Sequence, residues 1–167
     1  RFLDDLFAID NPWFEDLRYE IYPQQFLTLD ASEPSQSAEV NFLDLHFFQA
    51  PSGTGLAHRL YDKRREPQFR DVPLVRFPHV HSVMPLSCKL GIVHSQVHRL
   101  LSLCSFKADF IDKTARLISI LHVHKKYSLN HLLRKLRSSL AHFPSLYGTR
   151  SPSSTGIFVL VVARVNL

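Results

Sequence analysis

Two adjacent carboxylates, Asp4 and Asp5, stand between the apolar runs Phe2-Leu3 and Leu6-Phe7-Ala8-Ile9. Apolar residues, two acids and apolar residues again predict a β-hairpin with the acids at its tip. Two negative charges held that close repel and raise each other's pKa. Divalent cations neutralise such a pair, and an all-oxygen carboxylate site suits Mg²⁺. Two such ions about 4 Å apart clamp the attacking and leaving oxygens of a phosphoryl transfer. The plain alternative is an acidic turn, because aspartate is common in turns.

Other residue types invite chemistry with less support. His94 and His98 are one helical turn apart, a spacing that suits one metal ion. Neither they nor the pairs His79/His81 and His122/His124 match a zinc-finger spacing with Cys88 and Cys104, so no zinc is expected. Polar helix faces account for these histidines. A nucleophilic Cys104 with His98 or His122 is conceivable. Both cysteines fall on apolar helix faces, where thiols are inert core residues. The cations Lys63, Arg64, Arg65, Arg70, Arg76, Lys125, Lys126, Arg134, Lys135 and Arg137 are candidate phosphate contacts. Tyr61, Phe69, Phe77 and Tyr127, interleaved with them, are candidates for stacking on bases or riboses. For any one of these residues a solvated arginine or a core aromatic is the simpler account; the cluster favours nucleic acid.

The elements that must position these groups follow from pattern. Asn11-Pro12 opens a helix with Phe14, Leu17 and Ile21 at helical spacing, and Pro23 stops it. Short strands are expected at Phe26 to Asp30, Val40 to Gln49 and Leu56 to Tyr61, with turn residues Pro51 to Gly55 before the last. Residues 63–85, with the five cations Lys63, Arg64, Arg65, Arg70 and Arg76 and proline at 67, 73, 78 and 85, read as an irregular basic connector. Three helices follow. Their apolar stripes are Leu86, Leu90, Val93, Val97, Leu100 and Cys104; then Phe106, Phe110, Leu117, Ile118 and Leu121; then Leu129, Leu132, Leu133, Leu136, Leu140 and Phe143, with Ser128 as a cap. Residues 150–156 form a linker, and Ile157 to Leu167 suits a buried or edge strand.

The expected fold class is therefore α+β: an acidic hairpin and a small antiparallel sheet, then a bundle of about three helices. The expected division is 1–62, a connector at 63–85, a helical region at 86–145, and a linker and apolar tail at 146–167. The chain has 167 residues, 45% of them hydrophobic and 21% charged, which is globular rather than disordered. Two cysteines exclude a disulfide scaffold. No apolar run approaches the roughly 18 residues of a membrane span, and no signal peptide is visible, so an intracellular protein, nuclear or cytoplasmic and not secreted, is expected. Residues 1–50 hold two basic and ten acidic side chains, a balance of −8, against 18 and five, or +13, in the remainder. Such polarity suits metal ions at one end and a polyanion at the other.

Arg1-Phe2-Leu3-Asp4-Asp5-Leu6-Phe7-Ala8-Ile9 resembles the aromatic-x-Asp-Asp hairpin of reverse transcriptases, with Phe2 where tyrosine is usual. Phe42-Leu43-Asp44-Leu45 looks like the hairpin at the primer grip. Tyr61-Asp62-Lys63-Arg64, Phe77-Pro78-His79 and Gln96-x-x-Arg99 look like the tail of reverse transcriptases from Penelope-like retroelements and their relatives. The resemblance covers roughly residues 1–145. It implies an RNA-directed DNA polymerase, a nucleotidyltransferase of a retrotransposon, with an RNA template and a DNA primer as partners. Asp4 and Asp5 then match two of three catalytic, Mg²⁺-holding carboxylates. Phe2 packs under the primer end without the usual hydroxyl. Lys63, Arg64, Arg65, Arg134, Lys135 and Arg137 bind nucleic acid, the last three from a helical thumb. The third carboxylate, the fingers and the nucleotide-selecting segment lie upstream in that family. The chain begins with Arg1 and its only methionine is Met84, so a fragment that is inactive alone is expected. Two other readings stand beside this one: a non-catalytic nucleic-acid-binding α+β module, in which Asp4-Asp5 is only a turn, and a helical protein-interaction domain.

Overall fold

A computed structural model describes residues 13–21, 25, 39–69, 75–143 and 154–165. The Asp4-Asp5 hairpin, Phe2, the Phe26 to Asp30 strand, the Asn11-Pro12 helix start and Arg70 lie outside the described residues. Helix α1, Phe14–Ile21, follows the exposed Trp13.

Strands β1 (Glu39–Phe42), β2 (Leu45–Gln49) and β3 (Leu56–Leu60) form an antiparallel sheet in the order β1-β2-β3. The stretch expected as one strand, Val40 to Gln49, is therefore folded on itself. Leu43 and Asp44 make a two-residue turn, and Leu43 takes a positive φ of 52°. Leucine lacks glycine's freedom there, so the sequence carries no ordinary hairpin signal at this point. The β2–β3 turn does carry one: Gly53 and Gly55 adopt φ of 75° and 90°. In register, Phe48 opposes the buried Ala57. The Phe48 ring meets Phe106 at 6.0 Å and carries Arg59 above it at 5.0 Å.

Beyond β3 the chain makes two 3₁₀ turns, Lys63–Arg65 and Pro67–Phe69. Helices α2 (Leu86–Leu103), α3 (Lys107–Ser119), α4 (Leu129–Ala141) and α5 (Ser154–Val165) follow. The fold is α+β as expected, with four helices after the sheet among the described residues. α2 packs on α4, α3 on α5, and α4 on α5. Their apolar stripes share one core in which Val93, Val97, Phe110, Ile118, Leu121, Leu132, Leu136 and Leu140 are essentially solvent-free. Leu86, placed on the α2 stripe by spacing, is exposed. Ser128 sits at the expected cap position but makes no side-chain capping bond.

The C-terminal run is a correction. Residues 154–165 are helical, and Ile157 and Val161, one turn apart, bury at 1% and 0% exposure. Helix spacing lets both enter the core while Val159 and Leu160 stay exposed. The apolar tail is thus a fourth element of the bundle.

Two devices tie sheet and loops to the bundle. Ser105 N–H donates to His58 O at 2.8 Å, and His58 N–H donates to Ser105 Oγ at 2.9 Å, which joins β3 to the α2–α3 link. The buried Lys89 ammonium donates to Val80 O at 2.6 Å and Ser82 O at 2.7 Å. A cation in the first turn of a helix opposes the macrodipole, so these two charge-assisted bonds must outweigh that cost. Lys89→Met is expected to lower stability by about 2 kcal/mol, the lost bonds being offset in part by removal of a desolvated charge. Guanidinium unfolding measures it, and an unchanged midpoint would show that the clasp contributes nothing.

Candidate polyanion-binding groove

Where β3 ends, the chain is held against the β1–β2 turn: Tyr61 N–H donates to Asp44 O at 2.8 Å. Asp62 then caps the first 3₁₀ turn, accepting from Arg64 N–H at 3.4 Å. The same carboxylate receives the Arg64 guanidinium in a fork, Nε to Oδ1 at 2.7 Å and Nη2 to Oδ2 at 2.6 Å. That fork holds the Asp62 carboxyl below the usual carboxylate range and raises Arg64 further. Tyr61 Oη donates to Glu66, and this bond to a carboxylate pushes the phenol up.

From the other side, α2 presents Gln96 and Arg99 three residues apart, on one face. Val93, Val97 and Leu100 fix that helix in the core. Arg99 bonds to the Asp44 carboxylate, tying α2 to the hairpin turn. Gln96 Oε1 accepts from Arg76 Nη2 at 3.0 Å, and the Arg76 guanidinium lies 5.1 Å over the Phe77 ring. Arg76 is exposed, yet its guanidinium is enclosed enough that burial, then the Arg64 and Arg99 charges, lowers its pKa. It stays charged, since arginine does not deprotonate in proteins.

These side chains enclose an open pocket of about 410 Å³. Its walls are Leu60, Tyr61 and Val75; its charges are Lys63, Arg64, Arg76 and Arg99 against Asp44 and Asp62. Four cations and two carboxylates leave a lining charge of +2. A smaller cavity of about 50 Å³ shares Leu60, Asp62, Arg64 and Arg76, and adds Lys113 and Arg116 of α3. Together they make a groove whose net charge is positive. Such a surface attracts phosphates without needing strict geometry.

Of the residues expected to bind nucleic acid, Lys63 and Arg64 are in the groove. Arg65 is in the 3₁₀ turn, and its side chain is not among those described. Arg134, Lys135 and Arg137 lie on α4 and line neither cavity; Arg134 and Arg137 are exposed and Lys135 is half-buried. Lys125 and Lys126 follow a π-helical turn, Ile120–His124, that ends α3, with Lys126 at φ 61°. Two candidate stacking residues are core instead: Phe77 is 5% exposed and Tyr127 2%, its hydroxyl donating to Pro78 O at 3.1 Å. Groove residues that the list of candidate phosphate contacts missed are Arg99, Lys113 and Arg116. The i, i+3 pair Gln96/Arg99 was the signal available.

His94 and His98 both meet the Phe143 ring, at 5.8 and 5.5 Å, and His94 meets His142 at 5.6 Å. Among the described residues no three His, Cys, Asp or Glu side chains are grouped to hold a metal ion. Cys104 is buried and its thiol pushed up by burial, as an inert core residue should be; Cys88, expected on an apolar face, is exposed. Among the described residues no helix is long and apolar enough to cross a membrane. The chain matches no protein-family model, no curated protein and no solved structure.

Proposed function

We propose that this chain is part of an RNA-directed DNA polymerase of a retroelement. In this reading the sheet, the groove and the helices hold template and primer by their phosphates. Asp4 and Asp5 are the carboxylate pair that would hold Mg²⁺, which supplies charge neutralisation for phosphoryl transfer. One observation carries the reading. Tyr61-Asp62-Lys63-Arg64 and Gln96-x-x-Arg99, distant in sequence and both part of the resemblance, meet at one basic groove. The Phe42 to Leu45 turn joins them through Asp44 and Arg99.

The groove stands on its own elements, which favours a second reading: a nucleic-acid-binding α+β module without catalysis. Titrations with duplex DNA and with an RNA–DNA hybrid at several salt concentrations test both. Each neutralised phosphate contributes a slope of roughly −0.9 in log K against log salt for duplex DNA. Replacing Lys63, Arg76 and Arg99 with glutamine is expected to flatten that slope by up to about 3 units. Replacing Arg134, Lys135 and Arg137 should flatten it by a similar amount if α4 is a thumb helix. The hybrid should bind at least as well as the DNA duplex, because a thumb reads backbone shape. An unchanged slope in the groove variant removes the observation that carries the proposal. A strong preference for duplex DNA favours the non-catalytic module.

A further inference from the structure

The pocket is more selective than a basic surface needs to be. Two of its four cations are already neutralised, Arg64 by Asp62 and Arg99 by Asp44. The two-point fork to Asp62 fixes the Arg64 guanidinium plane, whereas Arg99 meets Asp44 through Nη2 alone. Arg76 is different: its bond goes to the neutral amide of Gln96, and it makes no ion pair among the described residues. Lys63, exposed at the rim, likewise makes none. Like charges around Arg76 repel it, a cost that an incoming anion removes.

We propose that this pocket receives the terminal phosphate of a nucleic-acid strand, in its dianionic form, between Arg76, Arg99 and Lys63. Charge and shape both favour a terminus. The lining carries +2, which complements a phosphomonoester of charge about −1.5 to −2 at neutral pH better than the single charge of an internal phosphodiester. A recess of about 410 Å³ falls within the range of sites for one small molecule, so it holds one nucleotide-sized group. Leu60 and Val75 give the attached sugar or base an apolar wall. The proposal deepens the reading above and rests on it for the strand as the source of the phosphate.

The test compares a short single-stranded oligonucleotide bearing a 5′-phosphate with its 5′-hydroxyl counterpart, at matched salt. The phosphorylated strand is expected to bind about tenfold tighter, the effect of one well-made charge-assisted contact. Arg76→Gln should erase that preference, bringing the two strands to the same affinity whatever contact both lose in common; Arg76→Lys should keep part of it. Circular-dichroism melting of both variants establishes that they fold. Inorganic phosphate should compete away the preference, and the preference should shrink below about pH 6, where the phosphate gains a proton. Equal affinity of the two strands, or a preference that survives Arg76→Gln, overturns the proposal. If both strands bind with a steep salt slope but equally, the pocket proposal falls and the nucleic-acid reading stands. If inorganic phosphate binds saturably and neither strand does, the strand is overturned as the source, and the proposed function with it.

Discussion

Replacing Leu136 with aspartate is expected to unfold the helical body. Leu136 lies in the middle of α4 with no solvent exposure, and α4 packs on both α2 and α5. An unpaired carboxylate there costs several kcal/mol. That is comparable to the total stability of an ordinary domain, about 5–15 kcal/mol. Leu136→Ala keeps the site apolar and leaves a cavity, at a cost of about 2–5 kcal/mol. Arg137→Ala, on the exposed side of the same helix, should stay within about 0.5 kcal/mol of wild type. The order in guanidinium unfolding is therefore Arg137→Ala, then Leu136→Ala, then Leu136→Asp. The aspartate variant should also depend on pH in a definite direction. A buried carboxyl has its folded-state pKa raised, so the folded form holds its proton longer. Stability is then greatest at low pH and falls as pH rises through the raised pKa. An unfolding midpoint for Leu136→Asp equal to that of wild type would mean that the α4 stripe is not core.

Helical stripes were legible because burial and spacing point the same way. Leu132, Leu136 and Leu140 recur every four residues, and all three are solvent-free. The sheet was legible from local pattern except at its first turn, where only the resemblance placed a hairpin, at Phe42 to Leu45. Glycines at 53 and 55 announce one bend, whereas the Leu43–Asp44 bend is made with a leucine at positive φ, which no turn pattern signals. The groove was visible only in pieces. Asp44 and Arg99 are 55 residues apart, and nothing local to either predicts that they meet. The same limit applies to the aromatics. Phe77 and Tyr127 have the composition of a base-stacking surface, but the core claims both rings. Residue type states what a side chain can do; burial decides whether it is free to do it.

The C-terminal helix allows a sharper test than its sequence suggests. Ile157-Phe158-Val159-Leu160-Val161-Val162 is rich in β-branched and aromatic residues, whose strand preference is a weak prior that tertiary packing overrides. Here packing on α3 and α4 selects the helix. In a strand, residues 157, 159 and 161 share one face, so Val159 and Val161 should respond alike to mutation. In α5 they separate: Val161 is solvent-free and Val159 is 58% exposed. Val161→Asp is expected to cost several kcal/mol, by burying a charge against α3 or by detaching the helix. Val159→Asp should change stability by no more than about 0.5 kcal/mol, the usual range at an exposed site. Arg164, which reaches Asp112 of α3 at 3.0 Å, adds little by comparison, because an exposed ion pair is worth about 0–1 kcal/mol. Arg164→Gln should therefore leave the unfolding midpoint nearly where it was. Chemical unfolding of the three variants decides between the two geometries. Equal losses at positions 159 and 161 would restore the strand and remove α5 from the bundle; a large loss at 161 alone fixes the helix and its register.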